Sequence, residues 1–285
     1  MTAQPLSGKE LAAQLRQQVT EAAGRLTGAA RPPRLAVVTA TEDESSVWYV
    51  QSIARAAGKV GIDCELVDLG PQSPPATIGA RLRALSADPG TDGIILQTPL
   101  PGGATLSELG AAIAPEKDVD GANPVSLGRL MVDRPAFAPA TAEAVVRLLA
   151  QHDIELEGRH VVVVGRSAVV GKPLLHLLLA ANATVTVCHS RTRDLAAVTA
   201  RADVLVAAVG RAGLITPEYV APGAVVVDVG TNVTDDGALV GDVDPGVAEV
   251  AGRLTPVPGG VGPVTTALLL HHTVIAAQAL ASAAD

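Results

Sequence analysis

The sequence predicts an α/β protein of two domains, an N-terminal α/β domain followed by a C-terminal Rossmann-like domain. Short apolar segments alternate with helical segments from residue 35 onward, as in parallel α/β folds. The alternation restarts at His160, after a proline-containing segment at Phe137–Pro139. The chain has 285 residues, which is long enough for two domains of about 100–200 residues each.

The elements of the first half follow from hydrophobic periodicity. Ser7 and Glu10 form a capping-box pattern, and the apolar residues after them recur at helical spacing, which predicts a helix to about Leu26. Apolar runs bounded by polar residues and glycine predict strands, and the stretches between them predict helices. The strands are expected at Leu35–Thr39, Cys64–Leu69 and Gly93–Gln97, and the helices at Ser46–Val60 and Ala76–Leu85.

The second half is expected to begin near residue 140. A helix is predicted at Ala142–Gln151, and the closing segment Val264–Ala281 predicts an amphipathic helix that packs back on the first domain. The expected domains are therefore residues 1–140 together with 264–285, and residues 141–263. Strands of the second domain are expected at Val161–Val164, Thr184–Cys188, Val204–Ala208 and Val225–Val229.

Composition narrows the class of partner. The formal net charge of -8 argues against a general nucleic-acid surface, which needs clustered basic residues. Aromatic residues make up 1% of the chain, which excludes a stacking platform built from many rings. A small-molecule substrate is therefore expected, and a single ring in a plausible pocket, such as Tyr49, carries more weight.

No segment predicts secretion or insertion into a membrane. The N-terminus lacks a basic region that leads into an apolar stretch, and apolar runs are broken before they reach about 20 residues. We therefore expect a cytoplasmic protein with no membrane partner. In that reducing compartment Cys64 and Cys188 are expected to be free thiols. The six histidines show no ligand spacing, so no metal site is expected.

A glycine-rich turn follows the strand expected at Val161–Val164. Gly165, Arg166 and Ser167 come directly after it, and Gly171 precedes Lys172 and Pro173. A tight turn at Gly165 and close backbone approach at Gly171 would leave free N–H groups facing a pyrophosphate at a helix N-terminus. Pro173 suits a first helical position. The spacing differs from G-x-G-x-x-G, so an ordinary buried strand and turn is the alternative.

The end of the next strand distinguishes between the two nicotinamide dinucleotides. NAD sites commonly place Asp or Glu there, whereas this chain reads Cys188-His189-Ser190-Arg191-Thr192. Arg166, Ser190 and Arg191 could supply charge-assisted hydrogen bonds to a 2′-phosphate, which a carboxylate would repel. NADP is therefore favoured over NAD, and an NADP-dependent oxidoreductase is expected. The alternative is that both arginines are solvated surface charges.

Four further segments have compositions that packing does not explain: Ser46–Val50, Asp92–Pro101, Lys117–Gly121 and Pro256–Pro263. In this order, and over essentially the whole chain, they closely resemble the bifunctional methylenetetrahydrofolate dehydrogenase/methenyltetrahydrofolate cyclohydrolase family. The resemblance implies an N-terminal α/β folate domain, a C-terminal Rossmann-like NADP-binding domain, and a cleft between them to which the last helix contributes. It also implies a homodimer formed through the second domain.

By matching position, the resemblance assigns roles to individual residues. Tyr49 would stack on the pterin and aminobenzoyl region, and Gln97 and Asp120 would contact the pterin or the reacting centre, so these three are the catalytic candidates. The residues alone leave open that Tyr49 is a surface or core ring and that Asp120 caps a turn. The expected folate-binding residues are Ser46, Tyr49, Ile53, Gln97, Asp120, Pro258, Gly259 and Gly260. The family pattern places the cofactor on Gly165, Arg166, Ser167, Ser190 and Thr231, to which the residue-level reasoning adds Gly171 and Arg191.

One departure from the family pattern bears directly on chemistry. The family's catalytic lysine lies four residues after the tyrosine, and here that position is Ile53. Oxidising the methylene bridge depends mainly on positioning. Hydrolysing the methenyl bridge requires activated water and moved protons, for which a lysine of shifted pKa is suited. We therefore expect a dehydrogenase with little or no cyclohydrolase activity.

Other departures leave alternatives open. Pro139-Ala140-Thr141-Ala142 stands where the family often has Pro-Cys-Thr-Pro, and His271-His272 precedes Thr273 where asparagine is common. The alternatives are a fully bifunctional enzyme, a paralogue with an altered folate substrate, and a folate-binding protein without catalysis. The glycine turn and Ser190 favour an enzyme, because a pure folate binder does not need a cofactor site.

Overall fold

A computed structural model describes residues 2–234 and 237–283. The chain forms two compact units. The first unit comprises Ala13–Ala140 and Thr266–Asp285, and the second comprises Met1–Ala12 and Thr141–Thr265. The predicted division differs at the N-terminus, because residues 1–12 were expected in the first domain. Gln4–Pro5 (β1) pairs in parallel with Arg253–Leu254, and this pairing joins the N-terminus to the second unit.

The first unit is built on a three-stranded parallel sheet. Its strands are Arg34–Thr39 (β2), Asp63–Asp68 (β3) and Gly93–Leu96 (β4), in the order β3-β2-β4. Apolar residues of these strands, including Val38 and Ile94, pack with Ile78 and Leu82. The helices are Lys9–Ala29 (α1), Glu44–Lys59 (α2), Pro75–Ala87 (α3), Leu106–Gly110 (α4) and Pro124–Met131 (α5).

The second unit contains a six-stranded parallel sheet, as the Rossmann-like prediction requires. Its helices are Ala140–Gln151 (α6), Gly171–Ala180 (α7) and Leu195–Thr199 (α8). The strands at residues 160–164, 204–207 and 225–228 are almost fully buried, because helices cover both faces of a parallel sheet, whereas most of the strand at residues 184–188 is only half-buried. Its remaining strands are His160–Val164 (β5), Thr184–Cys188 (β6), Val204–Ala207 (β7), Val225–Asp228 (β8) and Arg253–Leu254 (β11), in the order β1-β11-β8-β7-β5-β6. Asn232–Val233 (β9) and Leu239–Val240 (β10) form a separate antiparallel pair.

The last helix, Val261–Ser282 (α9), joins the first unit from Thr266 onward, as predicted. It is not amphipathic, and that expectation is wrong: between residues 264 and 277 only Ile275 is exposed. By length and composition alone, α9 is long and apolar enough to cross a membrane. This differs from the expectation that no segment of the chain is suited to membrane insertion. Yet 61% of its most apolar window is buried, as in the core helix of a globular protein. Cys64 and Cys188 are free thiols, as expected.

Candidate functional site

The two glycines of the turn after β5 touch each other through their backbones. Gly165 has a φ of +135°, and a Cβ added there would overlap the carbonyl oxygen of Ala208. A Cβ at Gly171, the first residue of α7, would overlap the carbonyl oxygen of Gly165 and lie 2.5 Å from its carbonyl carbon. Only glycine fits either position, so the chain folds back tightly between β5 and α7. We call residues 165–171 the glycine turn.

The N-terminus of α7 lies directly behind the glycine turn. Val170, the residue before the helix, provides no side-chain cap, and the Ser167 Oγ accepts from the Val170 N–H at 3.1 Å. Pro173 is the third helical residue rather than the first, but it still lies in the turn where N–H groups lack helical partners. A helix N-terminus preceded by a tight turn with glycine at both ends fits a pyrophosphate group, which is how the residues present would accept a dinucleotide.

The predicted 2′-phosphate residues lie at one edge of the sheet. β5 and β6 are adjacent and parallel, with Val164 opposite Cys188, so Arg166 follows one strand and Ser190 and Arg191 follow the other. All three are exposed. The loop after β6 is closed by the N–H of His189, which donates to the Thr192 Oγ1 at 2.9 Å. Parallel sheets bind ligands at this carboxyl edge, and the absence of a carboxylate from residues 188–193 fits a phosphate there.

Thr231, the remaining predicted cofactor residue, lies on an exposed loop. Two buried aspartates hold the backbone around this loop in place. The Asp228 carboxylate accepts from the N–H groups of Gly230 and Asp242 at 2.9 Å each. The Asp242 carboxylate accepts in turn from the N–H groups of three successive residues, 209–211. Burial raises the pKa of Asp228, against the lowering effect of these backbone donors. No sequence motif predicted either aspartate, and both hold loops in place through backbone N–H groups.

Ser46 and Gln97, two of the predicted folate residues, meet at one carbonyl group. α2 begins after Asp43, whose carboxylate accepts from the Ser46 N–H at 2.8 Å. The buried Ser46 Oγ donates to the Thr98 carbonyl oxygen at 3.0 Å. Gln97 follows β4, and its Nε2 donates to the same oxygen at 2.8 Å. These contacts join the start of α2 to the loop after β4.

Tyr49 lies one turn further along α2, half-buried. Its phenol forms a hydrogen bond with Thr266 of α9. Burial raises the pKa of Tyr49 and the charge of Asp120 raises it further, so the phenol keeps its proton at neutral pH. The structure therefore brings Tyr49 and Asp120 close enough to interact.

The three charged residues of the Lys117–Gly121 segment make different contacts. The buried Lys117 Nζ donates to the Asp88 carbonyl oxygen at 2.7 Å. The fully buried Asp118 carboxylate accepts from the N–H groups of Ala122 and Asn123 at 3.0 and 2.8 Å. Both residues therefore stabilise the loop. Within this segment, Asp120 alone remains partly exposed.

Asp120 titrates within the physiological range. Burial raises the pKa of its carboxyl group to about 7, the charge of Asp118 adds to this rise, and the charge of His272 opposes it. The carboxylate also accepts a hydrogen bond from the backbone N–H of Ala140, at the start of α6. Gly121, the next residue, has a φ of +65°, and a Cβ there would lie 2.5 Å from the carbonyl carbon of Ala138. Asp120 is thus held between two segments in direct contact.

Ile53 is fully buried in the core of the first unit, with 0% of its surface exposed. The chain contains four lysines, of which Lys59 and Lys117 belong to the first unit. Lys59 is exposed in the last turn of α2, and the Lys117 ammonium is bound to the Asp88 carbonyl oxygen. Neither replaces an ammonium group at position 53.

Pro258, Gly259 and Gly260 belong to the second unit, whereas the other predicted folate residues belong to the first. The Gly259 carbonyl oxygen accepts from the Gly8 N–H at 2.9 Å. Gly259 has a φ of +111°, and a Cβ at Gly260 would lie 2.7 Å from the Pro256 carbonyl oxygen. This loop is therefore a compact turn that only glycine permits, directly before α9.

Comparisons with known proteins agree with these features. Residues 6–120 match the model of the tetrahydrofolate dehydrogenase/cyclohydrolase catalytic domain, and residues 139–281 match that of its NAD(P)-binding domain. The chain is 62% identical to Bifunctional protein FolD 1 of Saccharopolyspora erythraea, over 96% of this chain and 94% of that protein.

Solved structures agree as well. The bifunctional FolD enzyme of Campylobacter jejuni is 36% identical, with a TM-score of 0.93 over 97% of this chain and 99% of that chain. The Trypanosoma brucei FolD enzyme, determined with NADP cofactor and inhibitor, is 34% identical, with a TM-score of 0.91 over 98% and 99% of the two chains. The resemblance predicted from the motifs is confirmed: this chain belongs to the tetrahydrofolate dehydrogenase/cyclohydrolase family.

Proposed function

We propose that this chain is an NADP-dependent methylenetetrahydrofolate dehydrogenase with little or no methenyltetrahydrofolate cyclohydrolase activity. The observation that carries this proposal is the buried Ile53 in the position of the family's lysine. The glycine turn, the arginines beside it and the pair of Tyr49 and Asp120 are all retained. The chain therefore keeps the groups that bind and orient two ligands, and it lacks the group suited to hydrolysis.

In the dehydrogenase reaction the protein's contribution is positioning. NADP, when bound, supplies the acceptor for the hydride that leaves the methylene bridge. The glycine turn and the α7 N-terminus would hold the pyrophosphate of NADP. Its 2′-phosphate would be held by Arg166, Ser190 and Arg191. Thr231 would contact the cofactor as well. On the folate, Tyr49 packs on the ring system, and ionised Asp120 accepts hydrogen bonds from the N–H groups of the pterin edge. Holding two reactants in register can supply most of the acceleration that hydride transfer needs.

Hydrolysis makes a demand that these residues do not meet. Water must lose a proton as it attacks the methenyl carbon, and a nearby base normally accepts it. Ile53 has no titratable group, and the ammonium of Lys117 is bound elsewhere. Burial raises the pKa of Tyr49, so its phenol is not a base at neutral pH. Asp120 titrates near neutrality but is committed to the pterin.

Paired assays on one protein preparation test this proposal. Adding methylenetetrahydrofolate and NADP is expected to produce NADPH at an enzymatic rate. Hydrolysis of methenyltetrahydrofolate is expected to be slower than this dehydrogenation by about 10²-fold or more, because a positioned proton-transfer group usually contributes that much to the rate. Hydrolysis as fast as dehydrogenation would show that the enzyme is fully bifunctional, and no NADPH from any folate would favour a binding protein without catalysis.

Ile53→Lys supplies the second arm of the same experiment. It is expected to raise hydrolysis by about 10-fold or more without raising NADPH formation, because a buried lysine has a lowered pKa and can accept a proton. Ile53→Met is the matched control, since it is similarly long and carries no amine, and it should leave hydrolysis unchanged. Thermal unfolding of both variants separates lost folding from altered chemistry.

We also propose a homodimer that forms through the second unit. β6 is the last strand in the order of the six-stranded sheet, so its outer edge has no strand partner among residues 2–234 and 237–283. An exposed row of N–H and C=O groups pairs readily with a second copy about a two-fold axis. Sedimentation velocity at micromolar concentration should give twice the chain mass, and a species of one chain mass would contradict the proposal. A cytoplasmic location stays a prediction.

A further inference from the structure

The strand order of the six-stranded sheet reverses between β5 and β7. From β5 the chain passes to β6 on one side, and it returns to β7 on the other side of β5. Dinucleotides bind in the crevice that such a reversal leaves at the carboxyl edge of a sheet. One wall of this crevice is the glycine turn after β5. The other wall is the start of the loop after β7, residues 208–211.

The two walls are in direct contact. The N–H of Ala208 donates to the Val164 carbonyl oxygen at 2.8 Å, and a Cβ at Gly165 would overlap the Ala208 carbonyl oxygen. Ala208 is therefore packed against both the end of β5 and the first residue of the glycine turn. A movement of the loop at residues 208–211 would displace the glycine turn as well, because no space separates the two backbones at this point.

Asp242 holds this loop through both oxygens of its carboxylate. The residue is fully buried. Its Oδ2 accepts from the N–H groups of Val209 and Gly210 at 2.6 and 3.0 Å. Its Oδ1 accepts from the N–H of Arg211 at 2.8 Å and from the Asn232 Nδ2 at 3.0 Å. Because each oxygen accepts two hydrogen bonds, one carboxylate joins the loop after β7 to the loop after β8.

The backbone around Asp242 is fixed in turn. The Asp228 carboxylate accepts from the N–H groups of Asp242 and Val243 at 2.9 and 3.0 Å. A Cβ at Gly230 would lie 2.5 Å from the backbone nitrogen of Asp242 and would overlap its carboxylate. Glycine at position 230 thus lets the loop after β8, on which Thr231 lies, pack directly against the Asp242 side chain.

We propose that Asp242 is a positioning residue for the cofactor, whose carboxylate holds the loops after β7 and β8 in the positions in which the dinucleotide binds. The inference rests on the proposed NADP site at the glycine turn. A carboxylate has about four acceptor positions, and four N–H donors fill them. Asp242 therefore acts on the cofactor through the two loops. Loops that are already in place need not be ordered when the cofactor binds, which raises affinity.

Asp242→Asn tests the proposal by NADPH binding and by kinetics. An amide has one acceptor oxygen, so whichever way it turns, its NH₂ group faces two N–H donors. The loops should lose their positions, and isothermal titration should show NADPH affinity lowered by about 10-fold or more. KM for NADP should rise, whereas KM for methylenetetrahydrofolate should stay the same. A merely structural role would lower the amount of folded enzyme, and hence the rate, without changing either KM.

Asp244→Asn is the matched control, because it makes the same change on the same segment. The Asp244 Oδ1 accepts from the backbone N–H of Gly246 at 2.7 Å. The single oxygen of asparagine can accept this bond equally well. NADPH affinity and both KM values are therefore expected to equal those of the wild type.

Asn232→Ala keeps the proposal testable if Asp242→Asn does not fold. It removes one donor and leaves three backbone N–H groups on the carboxylate, so NADPH affinity should fall by about 3-fold. Wild-type affinity in Asp242→Asn, or in Asn232→Ala where the first variant does not fold, overturns the proposal, as does an equal loss in Asp244→Asn. A wild type that binds NADPH but forms none from any folate would instead overturn the proposed function, and the affinities would still be measurable.

Discussion

Gly171→Ala is expected to abolish tight NADP binding. The added Cβ would overlap the Gly165 carbonyl oxygen and lie 2.5 Å from its carbonyl carbon and 2.9 Å from the Cα of Arg166. All three are backbone atoms, so no side chain can turn aside to make room. The glycine turn must open, which displaces the N–H groups expected to hold the pyrophosphate. A displacement of about 1 Å at such a site costs about 10²-fold. Isothermal titration with NADPH measures the loss.

Gly28→Ala is the matched control for this substitution. Gly28 lies near the end of α1, and a Cβ there would meet no atom within 4 Å. Alanine also has the higher helix propensity, so stability should be unchanged or slightly raised. NADPH affinity is expected to equal that of the wild type. Binding of NADPH by Gly171→Ala at wild-type affinity would contradict the assignment of the glycine turn to the cofactor.

The exposed arginines separate binding of the dinucleotide from recognition of its 2′-phosphate. Removing both in Arg166→Ala/Arg191→Ala should weaken NADP binding by about 10-fold or more, because charge-assisted hydrogen bonds to phosphate are lost. Binding of NAD, which has no such phosphate, should stay the same. Gly171→Ala, by contrast, should weaken both. Equal losses for NADP and NAD in the arginine variant would mean that these side chains do not read the 2′-phosphate.

Local patterns predicted most of the fold because each principal strand is an apolar run bounded by polar residues. β5, β6, β7 and β8 lie where the valine-rich runs placed them, within a residue at each end. α2 begins two residues earlier than expected, because Asp43 caps it. The two-residue strand β1 shows no periodicity of its own. Only its pairing with residues 253–254 assigns the N-terminus to the second unit, and no local pattern contains that information.

The candidate site was only partly predictable for a related reason. The motif at residues 117–121 contains two aspartates, and sequence alone does not show which one faces a ligand. In the structure Asp118 is occupied by two backbone N–H donors, which leaves Asp120 for that role. His272 stood out as a departure from the family pattern, but its contact, the Val119 carbonyl oxygen, lies 153 residues earlier in the chain. Such a contact exists only in the folded protein.

Asp120→Asn is expected to lower kcat/KM for methylenetetrahydrofolate by about 10²-fold or more. A carboxylate can accept two hydrogen bonds from the adjacent N–H groups of a pterin edge. An amide accepts at its oxygen only, and its NH₂ group would face a second donor, which leaves a polar group unpaired. The loss should appear mainly as weaker folate binding, since NADP contacts other residues. Measuring KM for both ligands distinguishes the two effects.

The pH dependence makes this prediction specific. The pKa of Asp120 is about 7, so wild-type kcat/KM should fall about tenfold per pH unit below that value, and this limb should be absent from Asp120→Asn. The pKa of Asp120 is higher in the folded protein than in the unfolded chain, so between about pH 4 and 7 the folded protein keeps a proton that the unfolded chain has lost. The contribution of Asp120 to the free energy of unfolding therefore declines as the pH rises through that range. Asp120→Asn removes this decline, and its unfolding temperature at pH 8 should equal or exceed that of the wild type. Asp63→Asn, which changes an exposed carboxylate on β3, should retain both the activity and the limb. A limb that persists in Asp120→Asn would assign the titration to another group.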